Sequence, residues 1–204
     1  MKKLVALLLA TAMMFTCVAC GGNNGDNGDA GNDGAAKVEI TDATELLTKV
    51  WTEYTQSASE DVQFPIGGGD AENMTMEAPG KYDATVEGGK DGLTFQYCIP
   101  ADVIDMSDDF ATGLHMMMAN NFTTTALHVT DAANVETAVA GIKDTVINNQ
   151  WMCGMPEKLI IVTVGEDYVV SAYGLEALID VYEAAITTVY GDAAVVAVEE
   201  SLMQ

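Results

Sequence analysis

The side chains able to do chemistry are few. The 204-residue chain holds two imidazoles, His115 and His128, and beyond its first twenty positions two thiols, Cys98 and Cys153. A cysteine or serine nucleophile needs a base beside it and an acid orienting that base, so either thiol would have to meet one of these histidines. No Gly-x-Ser-x-Gly elbow occurs, and Ser171 lies inside the apolar run Val-Val-Ser-Ala-Tyr. Structural cysteines and edge-strand histidines are the simpler reading. Metal chemistry is the sharper alternative. A turn at Asn120-Asn121 would put His115 and His128 on one hairpin face, opposite or one step diagonal. Met116, Met117 and Met118 follow His115, and soft sulfur ligands with imidazole suit copper. Three consecutive strand residues alternate faces, so all three cannot ligate. Met74, Met76, Met152 and Met155 read equally as adaptable core or as a loose binding surface. Paired acids such as Asp108-Asp109 and Glu199-Glu200 could act as acid and base on a sugar, but among 31 acids such adjacency arises by chance. No catalytic, cofactor-binding or metal-ligating residue is assigned.

The elements that must position these residues follow from periodicity. Residues 43–57 read as a helix: Asp42 and Glu45 have capping-box spacing, and Leu46, Leu47, Val50, Trp51 and Tyr54 make one apolar stripe. Residues 59–92 are broken by Pro65, Gly67-Gly68-Gly69, Pro79-Gly80 and Gly88-Gly89. The glycine triplet lacks the Lys-Ser/Thr of a phosphate loop, and a loop this long is uncommon unless functional. Residues 93–99 alternate as a strand or form an extended lead-in to Pro100, and 101–110 suit one helical turn and a loop. Runs 112–118 and 122–129 form a hairpin. Val135, Ala138, Val139, Ile142 and Val146 mark a helix. A second hairpin pairs 159–164 with 168–173, a helix over 175–190 stops at Gly191, and 193–203 is weakly helical. This order predicts an α+β fold, an antiparallel sheet of about four strands in two hairpins with two to three helices packed on one face.

The start of the chain states an address. Lys2-Lys3, an apolar run over 4–14 and small residues before Cys20-Gly21-Gly22 have the three-part layout of an export signal. The run is shorter than the roughly 20 residues of a membrane span. Val18-Ala19-Cys20 resembles a lipoprotein signal in which Cys20 is lipidated. The predicted organisation is a signal peptide over 1–19, lipid anchor and tether over 20–36, and one globular domain over 37–204. The tether contains only Gly, Asn, Asp and Ala after Cys20 and would span about 20–24 Å. Cleavage removes two of eight lysines and none of the 31 acids, leaving a net charge of −25 with no arginine. Such a surface repels phosphate backbones, which excludes nucleic acid as a partner. In an exported domain Cys98 and Cys153 can pair as a disulfide, worth about 4 kcal/mol for the loop enclosed, or remain buried thiols.

Taken with Cys20-Gly21-Gly22, the segments Cys98-Ile99-Pro100-Ala101-Asp102, 126–131, 159–164 and 167–173 resemble a family of small lipoproteins of clostridial-type Gram-positive bacteria, catalogued as a domain of unknown function. The resemblance covers roughly residues 93–190. It implies an extracytoplasmic location and a fold, and no activity. The expectation is a non-enzymatic lipoprotein on the outer face of the cell membrane, held through Cys20, that binds an extracellular protein or small ligand without a cofactor. The alternatives are a metal- or solute-binding lipoprotein associated with transport, and then an envelope hydrolase.

Overall fold

The computed structural model describes residues 39–203, so the signal, Cys20 and the tether lie outside the described residues. The first helix, α1 (Ala43–Ser57), has the predicted bounds. Asp42 accepts from the Glu45 amide at 2.7 Å, while the Glu45 carboxylate reaches back to the Thr41 amide at 3.0 Å. The Glu45 amide, an orphan donor of the first turn, is thereby satisfied, and the Glu45 carboxylate ties down the amide just ahead of the cap.

Eight strands form one antiparallel sheet: β1 (Ile66–Gly68), β2 (Thr75–Met76), β3 (Gly80–Lys81), β4 (Ser107–His115), β5 (Phe122–Val129), β6 (Lys158–Val164), β7 (Tyr168–Gly174) and β8 (Ala194–Ser201). Their order is β2-β1-β4-β5-β7-β6-β8, with β3 also paired to β4. Four further helices are α2 (Gly89–Tyr97), α3 (Ala101–Asp105), α4 (Val135–Ile147) and α5 (Glu176–Tyr190). The fold is α+β with an antiparallel sheet, as predicted, but among the described residues the sheet has eight strands rather than about four and carries five helices rather than two to three. Both predicted hairpins form, as β4–β5 and β6–β7.

Helices cover both faces, not one. α1 and α5 share a core with Ala126, Ile160, Val162 and Val170, while α2, α3 and α4 share another with Leu127, Leu159, Ile161 and Val169. The connection from β5 through α4 to β6 passes over β7, and that from β7 through α5 to β8 passes over β6. Both step the same way along the sheet, but β5 and β7 run in opposite directions. Right-handed crossovers therefore place α4 and α5 on opposite faces. The unbroken apolar run of β6, buried on both sides, carries the same message.

Local expectations are corrected at four points. The alternation over 93–99 belongs to helix α2: Leu93 and Tyr97, four apart, are buried, and the intervening Phe95 is 81% exposed. Gly88 at φ 76° leads into the helix, and Cys98 at φ 57° ends it with its amide on the Leu93 carbonyl. Within 193–203, expected to be weakly helical, Ala194–Ser201 form β8, because the open edge of β6 offers a full ladder to the β-branched Val195, Val196 and Val198. The extra edge strands β1, β2 and β3 come from the glycine-rich segment. The methionine run is not in the hairpin's strands: 116–121 connect them, ending in a 3₁₀ turn at Ala119–Asn121.

Candidate functional site

The glycine-rich segment builds a groove at one edge of the sheet. Gly67 of β1 pairs with Met76 on one side and Leu114 of β4 on the other. Having no side chain, it leaves a gap in that row. Met116 folds into the gap: a β-carbon on Gly67 would lie 3.5 Å from Met116 Cγ and 3.8 Å from its Sδ. The next residue is glycine for a different reason. A β-carbon on Gly68 would fall 2.2 Å from the Thr112 carbonyl oxygen and 2.4 Å from the Gly80 amide nitrogen, so β1 and β3 can crowd together against β4 only because neither Gly68 nor Gly80 carries a side chain. Gly69, at φ 84°, turns the chain and donates its amide to Thr112 Oγ1 at 3.0 Å. The triplet is thus a close-packed sheet edge.

Asp70, buried just after it, ties the loop together. Its Oδ1 accepts from the amides of Glu72 at 2.7 Å and Asn73 at 3.0 Å; its Oδ2 accepts from Asn73 Nδ2 at 2.8 Å and the Asp83 amide at 2.7 Å. Burial works against the carboxylate, but these four donors outweigh it and hold its pKa down to about 2. Sequence reasoning passed over Asp70. The signal for it was Gly-Gly-Gly-Asp-Ala-Glu-Asn, where an aspartate caps its own turn.

The resulting groove, about 360 Å³, has a floor of Gly67–Gly69 and walls from Met74, Met76 and Met116, with Leu114, Tyr82, Gln96 and Tyr97 completing it. Tyr173 Oη donates to the Gln96 carbonyl at 2.9 Å and Tyr82 Oη to the Gly89 carbonyl at 3.1 Å, which fixes the α2 side. Met74 is 73% and Met76 60% exposed. Nearby elements add further exposed apolar side chains: Phe95 on α2, Met117 and Met118 on the β4–β5 connection, and Met152 and Met155. Asn120 Nδ2 donates to the carbonyls of Met152 at 2.9 Å and Gly154 at 2.8 Å, fastening that segment to the connection. A surface dense in exposed methionine is costly unless something covers it, and flexible thioether side chains suit an interaction surface. A second cavity of about 520 Å³ carries Lys81, Lys90, Asp83, Asp105 and Asp108. Lys90 and Asp105 already neutralise each other at 2.5 Å, so that shelf is a solvated ion-pair surface.

The predicted pairing of the histidines does not occur. Asp109 faces His128 across β4–β5, whereas His115 lies beyond Leu114, the last β4 residue paired to β5, and pairs with Ile66. Both point to the α1/α5 face, yet six residues of strand, about 20 Å, separate them. They cannot share an ion. His115 stacks on Phe64 with ring centroids 4.8 Å apart, its Nδ1 accepts from the Met117 amide at 3.0 Å, and burial lowers its pKa. His128 Nδ1 meets Asp108 Oδ1 at 2.6 Å and Nε2 lies 3.5 Å from Asp167 Oδ2. Burial disfavours the imidazolium, but the two carboxylates prevail and the pKa rises. With both ring nitrogens against carboxylates, the fold favours the protonated form of His128. His128 therefore stabilises the fold fully below the unfolded value of about 6.5 and loses that contribution as pH climbs through the raised folded value. His128→Gln should lower stability by up to about 1 kcal/mol near pH 5.5 and by nothing near pH 9, read from thermal melts across that range. A pH-independent difference would contradict this role.

The thiols are both free and do not form the disulfide that the sequence allows. Cys98 is buried, with its pKa pushed up by burial, and accepts from Asn149 Nδ2 at 3.6 Å; Cys153 is exposed. Ser171 Oγ is buried opposite Thr125, and neither hydroxyl has a hydrogen-bond partner among the described residues. The adjacent acids are also held by structural contacts. Asp109 accepts from the Ala43 amide at 2.6 Å, Glu200 takes Lys143 at 2.5 Å, and Glu199 takes the buried Lys158 at 2.6 Å. Among the described residues no three or more of His, Cys, Asp and Glu gather as a metal site, and no helix is long and apolar enough to cross a membrane. No protein-family model matches the chain, and neither a curated protein nor a solved structure matches it.

Proposed function

We propose that the chain is a non-enzymatic binding lipoprotein of the extracytoplasmic membrane face, anchored through Cys20, that takes its ligand in the methionine-walled groove. The observation that carries the binding reading is the convergence of Met74, Met76 and Met116 on a strand floor without side chains. Asp70, the carboxylate in its lining, is fully occupied by four donors. Adaptable apolar walls around an open cavity suit binding, and they supply no nucleophile, base or developing-charge stabiliser. The resemblance to clostridial-type lipoproteins and the export signal supply the location.

A neutral apolar dye tests the groove. Nile red should brighten on the wild-type protein and lose most of that signal with Gly67→Leu. A β-carbon at Gly67 meets nothing closer than 3.4 Å, so a leucine is accepted by the strand and its side chain enters the groove beside Met116. Equal dye binding by both proteins would remove the groove from the account.

A further inference from the structure

We infer that this groove binds a soft monovalent metal ion, of which copper(I) is the biological case, on the thioether sulfurs of Met74, Met76 and Met116. The inference rests on the reading of the groove as the binding site and names the ligand class. Met76 is the direct antiparallel partner of Gly67. Side chains of such partners leave the same face, with β-carbons about 4.5–5.5 Å apart. The position of the missing Gly67 β-carbon is also 3.8 Å from Met116 Sδ. Met76 and Met116 therefore flank one empty side-chain position from two segments. Met74, two residues before Met76, lines the same cavity. The flexible methionine stem lets each sulfur adjust to an ion shared among them.

The donor set selects the ion. Thioethers are soft and neutral, which suits copper(I) and disfavours zinc, magnesium and calcium. The carboxylate, imidazole and thiol closest to the groove are engaged elsewhere. Asp70 is saturated by its four donors, His115 is stacked on Phe64 on the other side of the sheet, and Cys98 is buried in the α2/α3/α4 core. Three neutral ligands leave the charge of the ion uncompensated locally. The surrounding protein supplies the balance: exposed Glu72 and Glu77 bracket Met74 and Met76, and the whole chain carries −23.

Silver(I), a redox-inert stand-in for copper(I), tests the site by titration into protein carrying 13C-methyl methionine. The wild type should bind one ion per chain, with methyl shifts confined to three methionines. Met74→Leu/Met76→Leu/Met116→Leu should abolish saturable binding, and each single change should weaken it about tenfold. Met152→Leu/Met155→Leu should bind as the wild type does. No saturable silver binding by the wild type, full binding by the triple variant, or loss in the Met152/Met155 control would each overturn the inference. Leucine keeps the groove apolar, so Nile red binding by the triple variant separates the two ideas. Retained dye with no wild-type silver binding sinks the metal site alone, while absent dye binding by the wild type sinks the groove itself.

Discussion

Phe122→Ala is expected to cost about 4 kcal/mol of folding stability, within the range of fully buried aromatic truncations. Phe122 opens β5 and has no exposed surface. Its ring lies 5.0 Å from Phe64 and from Tyr182, 6.0 Å from Trp51 and 6.3 Å from Tyr54. Those partners come from α1, α5 and the segment before β1, so one side chain closes the layer between the sheet and two helices. Tyr182 is itself fixed, its hydroxyl within 3.1 Å of Thr124 Oγ1, which limits collapse into the cavity. Denaturant unfolding would measure the loss. A cost under about 1 kcal/mol would mean that this layer is not packed around Phe122.

Asp70→Ala should cost about 3 kcal/mol and open the groove. The substitution strands four donors, three of them backbone amides, in a buried turn. Asp70→Asn should cost less, about 1–2 kcal/mol, because one side-chain oxygen survives while the new amide faces the donors of Asn73 and Asp83. The pH dependence has a definite sign. With a folded pKa of about 2 and an unfolded value near 3.9, the carboxylate contributes its full stability above about pH 4 and loses it as pH falls towards 2. The stability gap between wild type and Asp70→Asn should therefore be flat from pH 5 to 8 and shrink below about pH 4. A gap that widens on acidification would show that Asp70 is not held as the anion. Because Asp70 grips Asp83 thirteen positions away, its loss should also abolish Nile red binding, which distinguishes it from a variant that only weakens the core.

Periodicity made the body of the fold legible. Asp42 with the stripe from Leu46 to Tyr54 placed α1, and Gly191, at φ 52°, marked the end of α5. The misses share a physical cause: each was decided by tertiary neighbours. Phe95 broke the reading of α2 because an exposed phenylalanine mimics the alternation of a strand. β8 forms because β6 offers an open edge. The helices occupy both faces because two crossovers leave antiparallel strands in the same direction, which depends on strand order that local patterning does not encode. The groove was half legible. Met74, Met76 and Met116 stood out as unusual, and the glycine triplet as a puzzle, but their meeting depends on Gly67 lying between Met76 and Leu114. The histidine pair failed for the converse reason, since the hairpin's connection spans the whole methionine run and leaves His115 outside the β4–β5 ladder.

Photo-labelling of the purified protein with a photoreactive apolar probe tests the central claim most directly. After photolysis and peptide mass analysis, binding through the groove predicts label concentrated on the groove wall, at Met74, Met76 or Met116, and little on half-buried Glu53 of α1. The groove label should be lost when Gly67→Leu fills the groove. Label spread evenly over the chain, or groove label that survives Gly67→Leu, would contradict binding through this groove.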